Sequence, residues 1–369
     1  MLITLLFYIF IVVIILQLFF YGFVFGQISK LKSQSSSLPS IPISVIICAK
    51  NEAKNLKKFL PSIIAQEYPN FEIVLINDDS SDKTLKVMEA FKEAHSNIKI
   101  VNVKNIEAFW GNKKYALTLG IKAATNNYLL FTDADCQPIS KYWIREMSSQ
   151  FTKTKSIILG YGAYKKERKS FLNKLIRFET FLTAVQYMSY AKLGQPYMGV
   201  GRNLAYTKNT FFEARGFMDH INIRSGDDDL FVNQIADANN TAICISKDSF
   251  TESTPKKSYK AWTRQKQRHI STAKHYKRQH KSALALFYIS QLAFWLLAIT
   301  LLSLLFHWQI VLGLIILRFG VLFTSLTIAA KKLNEKDLIF WFPILELFLI
   351  STQFSIFIKN LISRPTHWE

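Results

Sequence analysis

Carboxylates gather at three places in this chain: Asn77-Asp78-Asp79-Ser80-Ser81-Asp82-Lys83-Thr84, Asp133-Ala134-Asp135 and Asp227-Asp228-Asp229. An Asp-x-Asp turn can present two carboxylates to one hard divalent cation, Mg2+ or Mn2+. Such an ion takes oxygen ligands at about 2.0–2.1 Å, commonly from one or two carboxylates and the phosphates of a substrate. Three adjacent acids repel one another, so Asp227 or Asp228 is a candidate base with a raised pKa. The same acids also suit a helix N-terminus. In the first cluster, Ser81 or Asp82 caps the following helix, which leaves Asp78 and Asp79 without that duty. A fourth cluster, Gln265-Lys266-Gln267-Arg268-His269, is basic, and its Gln/Arg spacing suits gripping a diphosphate. Neither a GxxxxGK[ST] loop nor a GxGxxG fingerprint is present, so phosphate charge must be met by metal and basic side chains.

The acidic clusters follow apolar runs. Strands are expected over 43–49, 71–77, 97–103 and 128–135, and helices over 52–65, 82–94 and 112–124. Continuous apolar strands, each followed by a helix, predict a parallel sheet covered on both faces. Such sheets bind ligands at the carboxyl ends of their strands. Asp78 and the Asp133–Asp135 pair fall at such ends.

The flanks are of another kind. Residues 2–26 contain no charge and are long enough to span the hydrocarbon layer. They lack the basic start and small-residue cleavage site of a signal peptide, and read as a retained anchor. Further apolar stretches run over about 283–306, 309–330 and 338–358. The last contains Pro343 and Glu346 and reads either as a span or as a re-entrant segment. Arg318 and Glu346 are ionisable at membrane depth, so they are a functional candidate or a structural pair. Lys30, Lys32, Lys331, Lys332 and Lys336 place the middle of the chain in the cytoplasm by the positive-inside rule. The organisation expected is an anchor (1–27), a Ser/Pro linker (28–42) and a cytoplasmic α/β domain (43–255). A basic interfacial helix (256–282), about three transmembrane helices (283–359) and a tail (360–369) complete it.

Half the residues are hydrophobic and the formal net charge is +20. That excludes a disordered or collagenous chain. Cys48, Cys136 and Cys244 are too few and scattered for a disulfide framework or a CxxC metal site. The basic residues concentrate beside the apolar stretches and no nucleic-acid motif is present. The charge therefore points to anionic membrane lipid and not to nucleic acid.

With these motifs in order, residues 41–282 resemble a membrane-bound family-2 glycosyltransferase of bacterial type. Ser44-Val45-Ile46-Ile47-Cys48-Ala49-Lys50-Asn51-Glu52 resembles the family's opening strand and loop. The segment Asn77–Thr84 resembles DDGSxDxT, with Asn77 and Asp79 as departures. Lys113 or Lys114, before Ala116-Leu117, resembles the lysine near the donor. Asp133-Ala134-Asp135 resembles the metal motif, and Gly199-Val200-Gly201-Arg202-Asn203-Leu204-Ala205-Tyr206 the acceptor-side loop. Gly226-Asp227-Asp228 resembles the Glu-Asp motif that holds the base, and Gln265–His269 resembles QxxRW with His269 in place of Trp.

The resemblance implies a GT-A fold: a Rossmann-like, mostly parallel sheet with one N-terminal and about three C-terminal transmembrane helices. It implies an inverting transfer from a UDP- or GDP-linked sugar to a lipid or glycan acceptor at the inner membrane, in cell-envelope glycan synthesis. It assigns donor binding to Ala49, Asn51, Glu52, Asp78, Lys113, Asp133, Gln265 and Arg268. The acceptor side falls to Gly201, Arg202, Asn203 and His269. Asp135 and Asp133 take a divalent cation, and the base is Asp228 or Asp227. His269 in place of Trp favours a single transfer over polymerisation. A processive polysaccharide synthase and a catalytically inactive membrane scaffold are the alternatives.

Overall fold

The computed structural model describes residues 1–32, 41–104, 113–223 and 225–362. Most of the expected linker and the end of the tail lie outside the described residues. The chain opens with α1 (Leu2–Leu18), which continues through a π-helical turn (Phe19–Val24) and a 3-10 turn (Phe25–Lys30). The whole rod is 29 residues long, enough to cross a bilayer.

Strands and helices then alternate: β1 (Ile43–Ala49), α2 (Ala53–Ile64), β2 (Phe71–Asp78), α3 (Thr84–Ala94), β3 (Ile98–Val103), α4 (Lys113–Ala123) and β4 (Tyr128–Phe131). Irregular α+β structure follows, with β5 (Cys136–Pro138), α5 (Trp143–Ser148), β6 (Ile157–Leu159) and β7 (Gly162–Tyr164). Next come α6 (Phe171–Lys192), β8 (Leu204–Thr207), α7 (Lys208–Glu213), α8 (Asp229–Ile235), β9 (Thr241–Ile243) and β10 (Thr251–Ser253). The chain closes with α9 (Tyr259–Ala273), α10 (Arg278–Ser303), α11 (Trp308–Lys332) and α12 (Phe342–Ile362).

Two compact units result. One comprises Lys32–Lys165 and Gly194–Pro255; the other comprises Met1–Leu31, Lys166–Leu193 and Lys256–Glu369. The expected continuous domain over 43–255 is thus interrupted, because the α6 segment groups with the apolar helices.

The first unit is built on a seven-stranded sheet in the order β3-β2-β1-β4-β8-β6-β9. β1 pairs in parallel with β2 and β4, and β2 with β3. β8 runs antiparallel to both β4 and β6, while β6 and β9 are parallel. Among the described strands of this sheet only β8 is reversed. Alternate residues of β1 and β2 (Ile43, Val45, Ile47, Ile73, Leu75) share one core with Leu56 and Leu60 of α2 and Met88 of α3. On the other face α4 approaches very closely at Gly120, where a Cβ would lie 2.1 Å from Ile76 Cδ1. Glycine weakens a helix interior by about 1 kcal/mol relative to alanine, and here only glycine fits. β4 ends at Phe131, four residues before the expected end. Thr132–Asp135 leave the sheet in a turn closed by the Cys136 amide donating to Asp133 O at 3.1 Å. A second small sheet has the order β5-β10-β7.

In the other unit, Leu2–Lys30, Arg278–Ser303, Trp308–Lys332 and Lys336–Asn360 are long and apolar enough to cross a membrane. Pro343 is the second residue of α12, where its missing amide breaks no helical bond. Arg318 of α11 and Glu346 of α12 are buried and paired, with Arg318 Nη1 donating to Glu346 Oε2 at 2.8 Å. Gln17 accepts from Arg318 Nη2 at 2.7 Å, and Tyr21 Oη and Gln291 Nε2 donate to Glu346 at 3.0 and 2.9 Å. One ion pair with its hydrogen bonds therefore joins α1, its π turn, α10, α11 and α12. Arg177 of α6 is likewise buried and donates to Glu335 at 3.0 Å and Asp337 at 2.8 Å. The single basic helix expected over 256–282 is two helices. Ser271 and Thr272 hydroxyls donate back to the Arg268 and His269 carbonyls at 2.7 Å, a bonding that bends helices, and α9 ends at Ala273.

Candidate active site

The carboxyl ends of β1, β2 and β4 meet the loop before β8 and the start of α8. Asn51 follows β1 with φ +57, a conformation that asparagine tolerates better than most residues. Its Oδ1 accepts from the Ser81 amide at 2.9 Å and the Asp82 amide at 3.3 Å, and its own amide donates to Ser80 Oγ at 3.1 Å. Asn51 therefore ties the β1–α2 loop to the β2–α3 loop. The Glu52 amide donates to Thr84 Oγ1, and its carboxylate accepts from Asn55 at 2.6 Å. Asp82 accepts from the Thr84 amide at 2.8 Å in an Asx turn; the N-cap position of α3 itself falls to Lys83, whose side chain makes no capping bond, and not to Ser81 or Asp82 as expected. Asp78, the last residue of β2, is buried, and burial raises its pKa while Lys50 opposes the rise.

A pocket opens beside these strand ends, with Cys48, Phe131 and Tyr206 as its less polar walls and Lys113, Asp133, Asp227 and Asp228 as its charged ones. Lys113, at the start of α4, stands between two acid clusters. Its Nζ lies 3.0 Å from Asp133 Oδ1 and 3.0 Å from Asp227 Oδ2. Burial alone would lower its pKa, but the carboxylates of Asp133 and Asp227 overcome this and hold it well above the ordinary value. Asp228 caps α8 through the Asp229 amide at 2.8 Å, and its other oxygen accepts from the Gly201 amide at 2.7 Å. Burial, then repulsion from Asp227 and Asp229, pushes its pKa up to about 7, with the Gly201 bond opposing.

Asp133, Asp135 and Cys136 place one donor atom each within 4.8 Å of one another. Two carboxylates on one turn fit a hard divalent ion. The thiol, bonded at 3.2 Å to Ser253, is a soft neighbour whose pKa burial raises well above normal.

Two residues expected on the acceptor side stand elsewhere. Asn203 is wholly buried; its amide donates to Tyr161 O at 2.9 Å and Ser249 O at 2.7 Å and accepts from Trp143 Nε1 at 3.0 Å. A side chain bonded on every side in the interior does not face a ligand. The Arg202 guanidinium lies 4.3 Å over the Tyr164 ring and donates to Ser253 at 2.8 Å and Ala163 O at 3.2 Å. It braces the second sheet beneath Cys136. Gln265, Arg268 and His269 lie on α9 in the unit of apolar helices, where Lys266 pairs with Glu179 of α6 at 2.5 Å. Cys48 and Tyr206 line the pocket without having been assigned there from sequence. The position of Cys48, just before the end of a parallel strand, was the available signal.

Residues 44–218 match the family model described as Glycosyl transferase family 2. The chain carries a family-2 glycosyltransferase domain. This glycosyltransferase domain is similar to part of the poly-β-1,6-N-acetyl-D-glucosamine synthase of Staphylococcus epidermidis, 35% identical over 111 residues, or 30% of this chain and 25% of that protein. It is similar also to glycosyltransferase AglE of Haloferax volcanii, 32% identical over 117 residues, or 31% and 36% of the two chains. The match thus spans about a quarter to a third of the length of these curated relatives. Among solved structures, a mannosyltransferase of Pyrobaculum calidifontis, determined with GDP-Man and Mn2+, superposes over 99% of this chain and 100% of its own with TM-score 0.64 and 17% identity. That likeness is one of fold, and the fold is GT-A with a mostly parallel sheet.

Proposed function

We propose that this glycosyltransferase moves a single sugar from a UDP- or GDP-linked donor to a membrane-associated lipid or lipid-linked glycan, at the cytoplasmic face of the inner membrane and with inversion. The observation that carries the reading is the line Asp133–Lys113–Asp227 with Asp228 beside it, held by the Gly201 amide. It sets a cationic centre next to a carboxylate that can take a proton near neutral pH.

In this reading Asp133 and Asp135 hold a divalent cation, which when bound supplies positive charge against the leaving diphosphate. Lys113 adds a fixed positive charge on the same side. Asp228 receives the proton of the acceptor hydroxyl as its oxygen attacks the anomeric carbon, and the bond from that carbon to the diphosphate breaks on the opposite face. Asp227 neutralises Lys113 in the resting enzyme. Asp78 faces the nucleoside end at the tip of β2. Gln265 and Arg268 enter on the family resemblance, as groups that grip the diphosphate. The four apolar helices and the flanking lysines support a multi-pass membrane location.

The test is turnover of the full chain in lipid with Mn2+ and a panel of UDP- and GDP-linked sugars, read as release of nucleoside diphosphate. Release with none of them overturns the reading. Product length on a gel separates single transfer from polymer synthesis.

A further inference from the structure

Two adjacent lysines open α4. Lys113 faces the pocket and its carboxylates. Lys114 is completely buried, and its ammonium donates to the carbonyl oxygens of His220 at 2.8 Å and Ile223 at 2.9 Å. Those carbonyls belong to a tight turn in which the His220 amide donates to Phe217 O and the Ile223 amide to His220 O. On one side the turn is anchored by Phe217, packed edge-on against Phe211 and Phe231 at 5.0 and 5.5 Å. On the other side, in sequence, come Gly226, Asp227 and Asp228.

The acid run itself is tightly placed. Gly226 has φ +91, and a Cβ there would lie 2.5 Å from Leu230 Cδ1. Asp228 is fixed at its far end as the cap of α8. Lys114 pins the 220–223 turn, which precedes the acid run by three residues of sequence. Its own pKa is lowered to about 8 by burial, with Asp227, Asp229 and Asp228 opposing, so the acid run lies within its field as well.

We propose that Lys114 is a positioning residue: its ammonium fixes the main chain at 220–223 and thereby aligns Asp227 with Lys113 and Asp228 with the Gly201 amide. The inference rests on the reading of Asp228 as the base. A lysine head is compact and carries three donors, which suits two converging carbonyls; a planar guanidinium has a wider fork. A displacement of about 1 Å in a catalytic group costs on the order of 10²-fold in rate.

The experiment uses the full chain in lipid, with the UDP- or GDP-linked sugar that gives turnover as donor and UDP or GDP with Mn2+ as the binding probe. Lys114→Gln is expected to lower kcat by about 10- to 100-fold, with donor KM, nucleotide affinity and melting temperature nearly unchanged. Lys114→Arg is expected to recover part of the rate. Wild-type kcat in Lys114→Gln overturns the proposal, and so does a loss of nucleotide affinity as large as the loss of kcat. If Lys114→Gln does not accumulate as folded protein, Lys114→Arg decides: reduced kcat with unchanged KM and melting supports the inference, and wild-type kcat overturns it. Asp228→Asn run in parallel separates the two failures. If it keeps its rate, the base assignment falls; if it loses rate while Lys114→Gln does not, only the positioning role falls.

Discussion

The Gly201 amide donates to Asp228 across 27 residues of sequence at 2.7 Å, and a Cβ on residue 201 would lie 3.3 Å from the same carboxylate oxygen. The loop before β8 thus aims the proposed base, and a side chain at 201 would press on the carboxylate by a few tenths of an ångström. Gly201→Ala should lower kcat by roughly 10-fold while leaving donor KM nearly intact. Steady-state kinetics over a range of donor concentrations would check it; unchanged kcat would remove Gly201 from the machinery.

Asp228 must be ionised to accept a proton, and its pKa is pushed up to about 7. The profile of kcat/KM should therefore fall on the acid side of neutrality. Asp227→Asn removes a neighbouring negative charge and should move that limb to lower pH. A limb that stays in place would assign it to another group.

The same shift has a consequence for stability. Folding favours the protonated Asp228. At low pH folded and unfolded chains both carry the proton and the shift costs nothing. As pH rises from about 4, where an unfolded aspartate ionises, towards 7, the unfolded chain releases its proton first and the fold loses stability. Asp228→Asn should cut kcat by about 10²–10⁴ and raise the melting temperature at pH 8, with little change at pH 4. Differential scanning at the two pH values tests the pairing of lost activity with gained stability.

Asp135 lies on the turn after β4 and shares a donor-atom cluster with Asp133. Chelation should abolish turnover and added Mn2+ or Mg2+ should restore it, while Asp135→Asn should not be restored. Direct titration of Mn2+ by calorimetry gives a readout independent of turnover. Full activity in chelator would refute a metal-dependent site.

In the membrane helices, Arg318→Met alone leaves Glu346 charged and buried. Breaking such a pair costs about 3–5 kcal/mol, whereas replacing both partners by apolar residues is often close to neutral. Arg318→Met should unfold at markedly lower temperature in detergent, and Arg318→Met with Glu346→Leu should recover most of the difference. Equal losses would show that the remaining partners, Gln17, Tyr21 and Gln291, and not the charges, set the stability.

The first four parallel strands were legible because each is a mainly apolar run, interrupted only by residues such as Ser44, Glu72, Lys99 and Asn102, and the Asp133–Asp135 turn because it follows the unbroken run Tyr128–Phe131. The sequence could not divide the work of Lys113 and Lys114, since a one-residue step at the start of a helix turns a side chain by about 100° and only the neighbours decide which carboxylates it meets. Asn203 carries a polar side chain in a loop motif, yet its three partners Trp143, Tyr161 and Ser249 come from distant segments. The place of α6 was equally hidden. Asn173, Arg177, Glu179 and Thr180 read locally as a water-facing helix, while the acids that neutralise Arg177 lie 158 and 160 residues further on.

The excursion of the chain between Lys165 and Gly194 bears on how the enzyme can be handled. Cutting before residue 43 and after residue 255 would remove the four long apolar helices found among the described residues and still not release a soluble catalyst. The fragment would carry α6 without its companions, exposing Phe178, Phe181, Val185 and Met188, all buried in the whole chain. Such a fragment should aggregate or cling to detergent. A soluble version would have to omit Lys166–Leu193 as well, and it would still lack Gln265 and Arg268 of α9.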